Sequence, residues 1–511
     1  MALAFAVYLL TLAPSITFEN MGSDSGDLIT AARTLGVPHP PGYPTYTLLA
    51  WLATQLPIGS IAYRVNLLSA CCAALTVGLV FDSARRLLKS EPHGPLLAGA
   101  AALTLAFSPI FWSQAVIAEV YALHGLFSAL LLGLLLRWRD GGSDALLYLT
   151  PFLFGLGLGN HLTLIFFAPA ALVLLWPHRS RWLRARILAV AFLLFLVGLS
   201  IYVYLPLAAR HNPPVNWGNP QTWAGFRWVV LAEQYRQFLF ALPLSEIPAR
   251  LAHWANLLGD QFAWIGWPLI IAGVSFWARR DRALLWFMLA WIVPLSVYAF
   301  GYHTGDSHIY LLPAFVLLSI LWAGGAGHLL SILRRLPSDS ALPSFRGVAW
   351  ERIARALLIL LPLFSLGLHW RAVDRSHDLE ALAYAYKALT AADPNSLVIV
   401  RGDRATFSLW YAVYAEEYRD DVALVSGPML AFLWYRAQVR QQYPHLQIPE
   451  PGTSDDITTD DLVRELIADN IDGQPVYATD PKDLWYEWND YILEEEILYR
   501  VSPRAGGGFE G

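Results

Sequence analysis

Polar residues rarely interrupt the first 370 positions of this chain. Apolar stretches lie near 2–17, 61–82, 95–112, 117–136, 145–160, 162–176, 187–207, 255–277, 283–300, 309–330 and 353–370. A helix needs about 17–25 such residues to cross a bilayer, so the pattern predicts a polytopic α-helical membrane protein with about eleven transmembrane helices. Beyond residue 371 the periodicity changes. Helix-like segments at 378–391, 404–417, 428–441 and 459–470 alternate with strand-like SLVIV at 396–400, DVALV at 421–425 and PVYAT at 475–479. That alternation predicts a small C-terminal α/β domain, dividing the chain into residues 1–370 and 371–511. A Pro-Gly-Thr-Ser-Asp-Asp linker at 451–456 interrupts it, an apolar and acidic segment runs to Val501, and GGGFEG reads as a flexible tail.

The first break in the apolar pattern is also the most polar. Residues 18–47, FENMGSDSGDLITAARTLGVPHPPGYPTYT, carry three acids close together, Glu19, Asp24 and Asp27. Ionisable groups at a bilayer edge are costly unless useful, which suggests catalysis at a membrane face. Asp24-x-x-Asp27 also has the spacing of a capping box, and capping and catalysis can coexist. Residues 24–35 read as a short helix ended by Gly36 and 44–56 as a second one, joined by a rigid HPPGYP turn. This pair is expected to form a surface hairpin before the second span. A further segment, 213–251, is rich in Trp, Tyr and Phe and suits either the headgroup region or the wall of a lipid-substrate cleft.

Composition and charge sharpen the class. Hydrophobic residues make up 56% and charged residues 15%, against roughly 45–50% and 25% in soluble domains. The first span lacks the basic flank of a signal peptide and reads as retained. With a cytoplasmic N-terminus, 17 of the 35 Lys and Arg residues fall in inner loops and 6 in the longer outer ones, Arg33, Arg64, Arg210, Arg227, Arg236 and Arg250. The positive-inside rule supports this orientation and puts the C-terminal domain outside. Polar groups collect at the same face: Asn66, Glu119, His124, Asn160, His161 and Asp260. Cys71 and Cys72 are adjacent on one helix, so neither a disulfide nor a metal-ligand spacing is expected. A cysteine-free outer domain suits a prokaryotic plasma membrane.

The order of these elements resembles the C-type (GT-C) fold of polyprenyl-phosphate-sugar-dependent glycosyltransferases, and within it the O-mannosyltransferase family of transmembrane protein 260. The resemblance is carried by Ser23-Asp24-Ser25-Gly26-Asp27-Leu28-Ile29-Thr30-Ala31-Ala32, by Leu35-Gly36-Val37-Pro38-His39-Pro40-Pro41-Gly42-Tyr43-Pro44 and by Ala62-Tyr63-Arg64-Val65-Asn66-Leu67. Echoes follow in Ala118-Glu119-Val120-Tyr121, Gly157-Leu158-Gly159-Asn160-His161, Trp217-Gly218 and Glu233-Gln234-Tyr235-Arg236. Ser23 and Asp27 stand where the family usually has Gly and Glu, which leaves open whether Asp24, Asp27 or Glu19 is the base.

The resemblance implies transfer of a sugar, mannose by resemblance alone, from a polyprenyl-phosphate donor to a protein or glycan hydroxyl outside the membrane, with inversion. Such chemistry needs a carboxylate beside the hydroxyl, here Asp24 first, with Asp27 or Glu19 next, and a cation on the departing phosphate, for which Arg64, Arg210 and Arg236 are candidates. Glu19, His39, Tyr43, Asn66, Glu119, His161, Glu233, Tyr235, Asp306 and His308 are the other expected cleft residues. No phosphate-binding glycine loop is present, no nucleic-acid partner is expected, and no cofactor is called for, a divalent metal being compatible but unsupported. The competing class is a transporter or lipid flippase, whose ionisable residues line a path. Against it, no internal repeat is visible and the polar groups gather at one face.

Overall fold

The computed structural model describes residues 1–19, 24–335, 347–450, 458–480, 492–495 and 497–501. Ser23, the 451–456 linker, Arg346 and the GGGFEG tail lie outside the described residues. The chain is divided between two units, each assembled from three segments.

The first unit, Met1–Leu12, Asn66–Tyr202 and Tyr235–Ser376, is helical. Among the described residues seven helices are long and apolar enough to cross a membrane: Ile61–Leu87, Val120–Arg139, Leu162–Trp182, Ala185–Ala209, Arg282–Gly301, Ser307–Arg335 and Trp350–Val373. The remaining expected spans take other forms. Ala2–Leu10 is nine residues long, about 14 Å at 1.5 Å per residue, well short of the bilayer core. Gly94–Ala106 and Asp144–Leu158 are shorter apolar helices, the first followed by a separate turn of helix opened by Pro109. The stretch expected at 255–277 straddles a bend of 84° between Leu244–Gln261 and Gly266–Arg280. There Ala263 and Trp264 take left-handed backbone conformations, and the Trp264 ring folds into the space a side chain would need at Gly259.

Burial separates central helices from peripheral ones. The most apolar windows of Ser307–Arg335 and Val120–Arg139 are 89% and 83% buried, whereas those of Ala185–Ala209 and Trp350–Val373 are 17% and 22% buried. Small residues let the helices approach. A Cβ at Gly273 would sit 1.9 Å from the Leu321 carbonyl, and one at Gly325 would sit 1.8 Å from that of Leu269, the backbone-to-backbone packing used between membrane helices.

The second unit contains Ala13–Val65, Val203–Gln234 and the residues from His377 onward. Its centre is a five-stranded sheet in the order β2-β1-β3-β5-β4. Strands β1 (Leu397–Val400), β2 (Ala423–Ser426) and β3 (Val476–Ala478) are parallel, while β4 (Ile492–Glu495) and β5 (Leu498–Val501) run antiparallel along the β3 edge. All four residues of β1 are buried, as a near-continuous apolar run in a parallel sheet should be. Helices Glu380–Ala391, Asp403–Trp410, Leu433–Gln442 and Thr459–Asn470 match the sequence pattern. Strands β4 and β5 carry Glu494, Glu495 and Arg500, which obscure any period-two signal.

The hairpin expected at the surface is largely buried in this second unit. Its helices span Asp24–Thr34 and Pro44–Thr54, and Ser25 through Ala32 are all buried. Gly26 allows this, because a Cβ there would lie 2.4 Å from the Phe407 carbonyl on the Asp403–Trp410 helix.

Candidate functional site

The acidic segment reaches its geometry through two local devices. At the end of Asp24–Thr34 the left-handed conformation falls on Leu35, and the Gly36 amide bonds back to the Ala31 carbonyl at 2.7 Å. The chain then runs alongside 215–217: Val37 N–H donates to Val215 O at 2.9 Å, and Trp217 N–H donates to Val37 O at 3.0 Å. Next, the His39-Pro40-Pro41-Gly42 turn closes with Gly42 N–H on His39 O at 2.9 Å, and Gly42 takes a positive φ of 84° that its missing side chain permits.

These devices converge on Asp27. Its Oδ1 accepts the Trp217 indole N–H at 3.0 Å, and its Oδ2 accepts the His39 backbone N–H at 3.0 Å and the His39 Nδ1 at 2.7 Å. The carboxylate is wholly enclosed. Its bonds therefore run to His39 and Trp217, not to a helix cap. On the opposite side of the imidazole, Nε2 lies 3.7 Å from Asp24 Oδ2, whose side chain is 35% exposed. Tyr43 and Trp217 pack edge-on against the His39 ring, at 5.1 and 6.4 Å between centroids. The result is a row of carboxylate, imidazole and carboxylate in which Asp24 is the member most open to solvent. Asp403 belongs to the same electrostatic environment. Enclosure by protein raises its carboxyl above the ordinary value, His39 draws it down and Asp27 pushes it further up.

Arg64 is committed elsewhere. Its Nε donates to Ile58 O at 2.7 Å and its terminal nitrogens to Thr54 O at 2.7 Å and Gly59 O at 3.0 Å, closing the turn after Pro44–Thr54. Of the two candidate arginines in this unit, that geometry leaves Arg210, exposed at the end of Tyr204–Ala209, as the open one. Glu233 pairs with Arg227 at 2.9 Å, and Glu19 is half-buried just before residues 20–23.

The other expected residues lie in the helical unit. Asn66 and Glu119 are buried, Glu119 at the head of Val120–Arg139. His161 Nδ1 lies 2.8 Å from the Thr163 hydroxyl, which lies 3.1 Å from His124 Nε2. Tyr121 and Tyr310 flank His161, each 5.4 Å between centroids. A ladder of rings continues from Tyr310 to Tyr298 and Tyr302, and the Tyr302 hydroxyl donates to Tyr235 O at 3.4 Å. Arg236 is exposed beside it, Asp306 is half-buried, and His308 Nδ1 is 3.2 Å from Gly305 O. The expected site residues thus form two groups, one in each unit. Among the described residues no three His, Cys, Asp or Glu side chains converge as a metal site.

The sequence reading named Trp217 as part of the Trp217-Gly218 echo but not as a site residue, and placed the aromatic-rich 213–251 segment at a headgroup layer or a cleft wall. Trp217 instead packs with Phe407, Trp410 and Trp434, and Trp228 with Phe432 and Trp434. Trp223 at 75% exposed fits the anchoring role. The usable signal was the Trp217-Gly218 pair, where Gly218 takes a positive φ of 67°.

Residues 24–184 match the model of the protein O-mannosyl-transferase TMEM260 N-terminal domain, and residues 381–499 match TMEM260-associated domain 2. The protein O-mannosyl-transferase TMEM260 of Mus musculus is 29% identical over 87% of this chain and 64% of its own length. That of Dictyostelium discoideum is 23% identical over 98% of this chain and 65% of its own length. The chain thus spans under two thirds of each of these relatives, both eukaryotic. Crystal structures of ArnT from Cupriavidus metallidurans share the fold at 14% identity. The form bound to undecaprenyl phosphate has a TM-score of 0.60 over 98% of this chain and 96% of that one. The apo form gives 0.62, with 98% of both chains covered. The chain is accordingly a polytopic integral membrane protein of the C-type (GT-C) fold, resembling the TMEM260 O-mannosyl-transferase family through both the N-terminal and the second domain of that family.

Proposed function

We propose that this chain is a membrane glycosyltransferase that moves a sugar, mannose in keeping with its relatives' names, from a polyprenyl-phosphate donor to a hydroxyl of a protein acceptor. The observation that carries the reading is the Asp27–His39–Asp24 row. Asp27 holds the imidazole through Nδ1, and the imidazole holds position beside the solvent-reachable Asp24. A general base must be within hydrogen-bond reach of the proton it removes, and Asp24 is the member of the row that an incoming hydroxyl can approach. As the acceptor oxygen bonds to the anomeric carbon, its proton passes to Asp24. The bond from that carbon to the phosphate oxygen breaks in the same displacement, and the configuration inverts. The phosphate keeps the electron pair, so a cation must meet it. Arg210, in the same unit as the row, is the arginine assigned to that task, and Asp27 and His39 position the base. The ArnT structure with undecaprenyl phosphate supports a lipid-linked donor by analogy of fold, and the reaction is assigned to the extracytoplasmic face on the arginine and lysine asymmetry.

The test is direct. Purified protein is incubated with a panel of polyprenyl-phosphate sugars and a serine- and threonine-rich acceptor peptide, and products are identified by mass spectrometry. Release of lipid phosphate together with a glycosylated peptide is expected. Product formation only from nucleotide sugars, or from no donor while the protein moves intact lipid across vesicles, would overturn the reading.

A further inference from the structure

An apolar groove runs along the helical unit between Gly266–Arg280, Ser307–Arg335 and Trp350–Val373. It has a volume of about 570 Å³, within the size range of ligand sites. Leu269, Ala272, His328, Ile332, Ala354 and Leu361 are among its lining residues, and His328 is the polar member among the described ones. The His328 backbone carbonyl accepts the Ser331 hydroxyl at 2.7 Å. Its ring, half-buried, meets no hydrogen-bond partner among the described residues. A polar ring in an apolar lining at membrane depth is costly unless something outside the chain bonds to it.

One end of the groove is basic. There the last turns of the first two helices meet the first turn of the third, at the side that the arginine and lysine asymmetry assigns to the cytoplasm. The turn at 90–93 ties them together: Arg280 donates to Glu91 at 2.7 Å and to Ser90 Oγ, and His93 Nε2 lies 2.9 Å from Arg334 and 3.2 Å from Arg355. The carboxylates on these helix ends are matched, Asp281 by Arg139 at 2.7 Å and Glu351 by Arg334 at 2.8 Å. Arg279, Arg335 and Arg352 are exposed and have no ion pair among the described residues. Helical phase separates these three. Arg279 follows Ala272, and Arg335 follows His328, by seven positions, which is two turns on along the same face, about 10 Å. Arg352 stands two positions before Ala354 and is turned about 160° from it. Two unmatched arginines, one from each of two helices, therefore stand on the groove face at its end.

We propose that this groove is a site for an anionic phospholipid from the leaflet on that side. One acyl chain lies along the apolar lining, the His328 ring N–H donates to an ester carbonyl, and the phosphate sits between Arg279 and Arg335. Charge complementarity selects the headgroup. A zwitterionic lipid brings its own cation to a place that already holds unmatched arginines, whereas a net negative headgroup does not. The apolar lining selects a lipid over a free phosphate, which cannot use it. All of these residues belong to the helical unit, and the proposal does not depend on the glycosyl-transfer reading.

The experiment is native mass spectrometry of the full chain released from nanodiscs that hold equal amounts of phosphatidylglycerol and phosphatidylcholine. A single phosphatidylglycerol is expected to stay on the chain, retained about tenfold over phosphatidylcholine. Arg279→Gln combined with Arg335→Gln, both at exposed positions that should not disturb folding, is expected to remove the preference. Arg352→Gln, equally exposed but turned off the groove, is expected to keep it. Equal retention of the two lipids or retention of neither would overturn the proposal. So would an equal loss in Arg352→Gln, which would mean attraction to a charged surface only, and displacement of the phosphatidylglycerol by added polyprenyl phosphate, which would make the groove a donor site. A preference that depends on Arg279 and Arg335 but not on Arg352 would uphold it whether or not any sugar is transferred.

Discussion

His39 Nδ1 lies 2.7 Å from Asp27 Oδ2, and no solvent reaches that carboxylate. The sequence favoured Asp24 over Asp27 as the base, and under the proposed function this geometry gives the two acids different tasks. Asp27 orients the imidazole, while Asp24, 3.7 Å from the other ring nitrogen, can meet a substrate. Asp24→Asn should therefore lower the transfer rate by roughly 10²–10⁴, the usual loss for a missing general base, with an unchanged melting temperature. Single-turnover kinetics on the purified variant measure this, and full activity would move the base to another group.

Asp27→Asn should fail differently. An amide offers one acceptor oxygen and directs its own N–H₂ toward donors that a carboxylate had satisfied, leaving the His39 or Trp217 N–H without a partner. A buried donor left unsatisfied costs about 1–3 kcal/mol, so both stability and activity should fall. Trp217→Phe keeps the ring packing and removes only one donor, so it should lose less of each. Thermal unfolding of the two variants beside Asp24→Asn separates positioning from chemistry.

Arg64 illustrates how a sequence argument is redirected by geometry. All three side-chain nitrogens donate to backbone carbonyls that end one helix and form the next turn. Arg64→Ala should destabilise the protein while leaving donor affinity intact in the folded fraction, and Arg64→Lys should restore only part of the stability, because a point donor cannot span three carbonyls. Arg210→Ala should instead weaken donor binding without a change in melting temperature. Donor titration on these three variants decides between the two assignments.

The apolar pattern made the membrane class legible because bilayer thickness imposes length and hydrophobicity on each span. Strands β1 to β3 were legible because a parallel core strand must be apolar throughout, as LVIV is. The geometry of the candidate site was only half legible. Asp24, Asp27, His39 and Tyr43 stand within twenty residues of one another, and the resemblance singled them out together. Trp217 comes from a distant segment whose pairing depends on one short bridge to Val37, which no local periodicity encodes. Arg64 misled for a related reason: the sequence locates a guanidinium near the acids but does not say whether carbonyls already occupy it.

The raised carboxyl of Asp403 makes a pH prediction. Enclosure is the largest cause, so the folded state binds this proton more tightly than the unfolded chain does, whose carboxyl sits near 3.8. Stability from this group is greatest below that value and declines as pH rises from there through the raised folded value. Asp403→Asn lacks the titration. The melting temperature of the variant should gain on that of the unaltered protein as pH increases across this window, and parallel pH profiles would remove the assignment.

Unit membership also constrains the path through the membrane. Residues 24–65, 203–234 and those after His377 fold together, which predicts that they share one face of the bilayer with an even number of crossings between any two of these segments. Between residues 234 and 377 three long helices are available among the described residues, Arg282–Gly301, Ser307–Arg335 and Trp350–Val373. The prediction is that the bent pair Leu244–Gln261 and Gly266–Arg280, which by length and composition is either a broken span or a re-entrant loop, supplies a fourth crossing. By the same parity the two short helices Gly94–Ala106 and Asp144–Leu158 are expected both to cross or both not to cross. With Cys71 and Cys72 replaced by alanine, single cysteines at the exposed positions Asn212, Arg282 and His377 test the count with a membrane-impermeant maleimide. Asn212→Cys and His377→Cys should label from the outer face of sealed cells, whereas Arg282→Cys should label only after permeabilisation. Labelling of Arg282→Cys together with Asn212→Cys would make the bent pair a loop that returns to its own face, and would break the parity on which a shared outward face for these three segments depends.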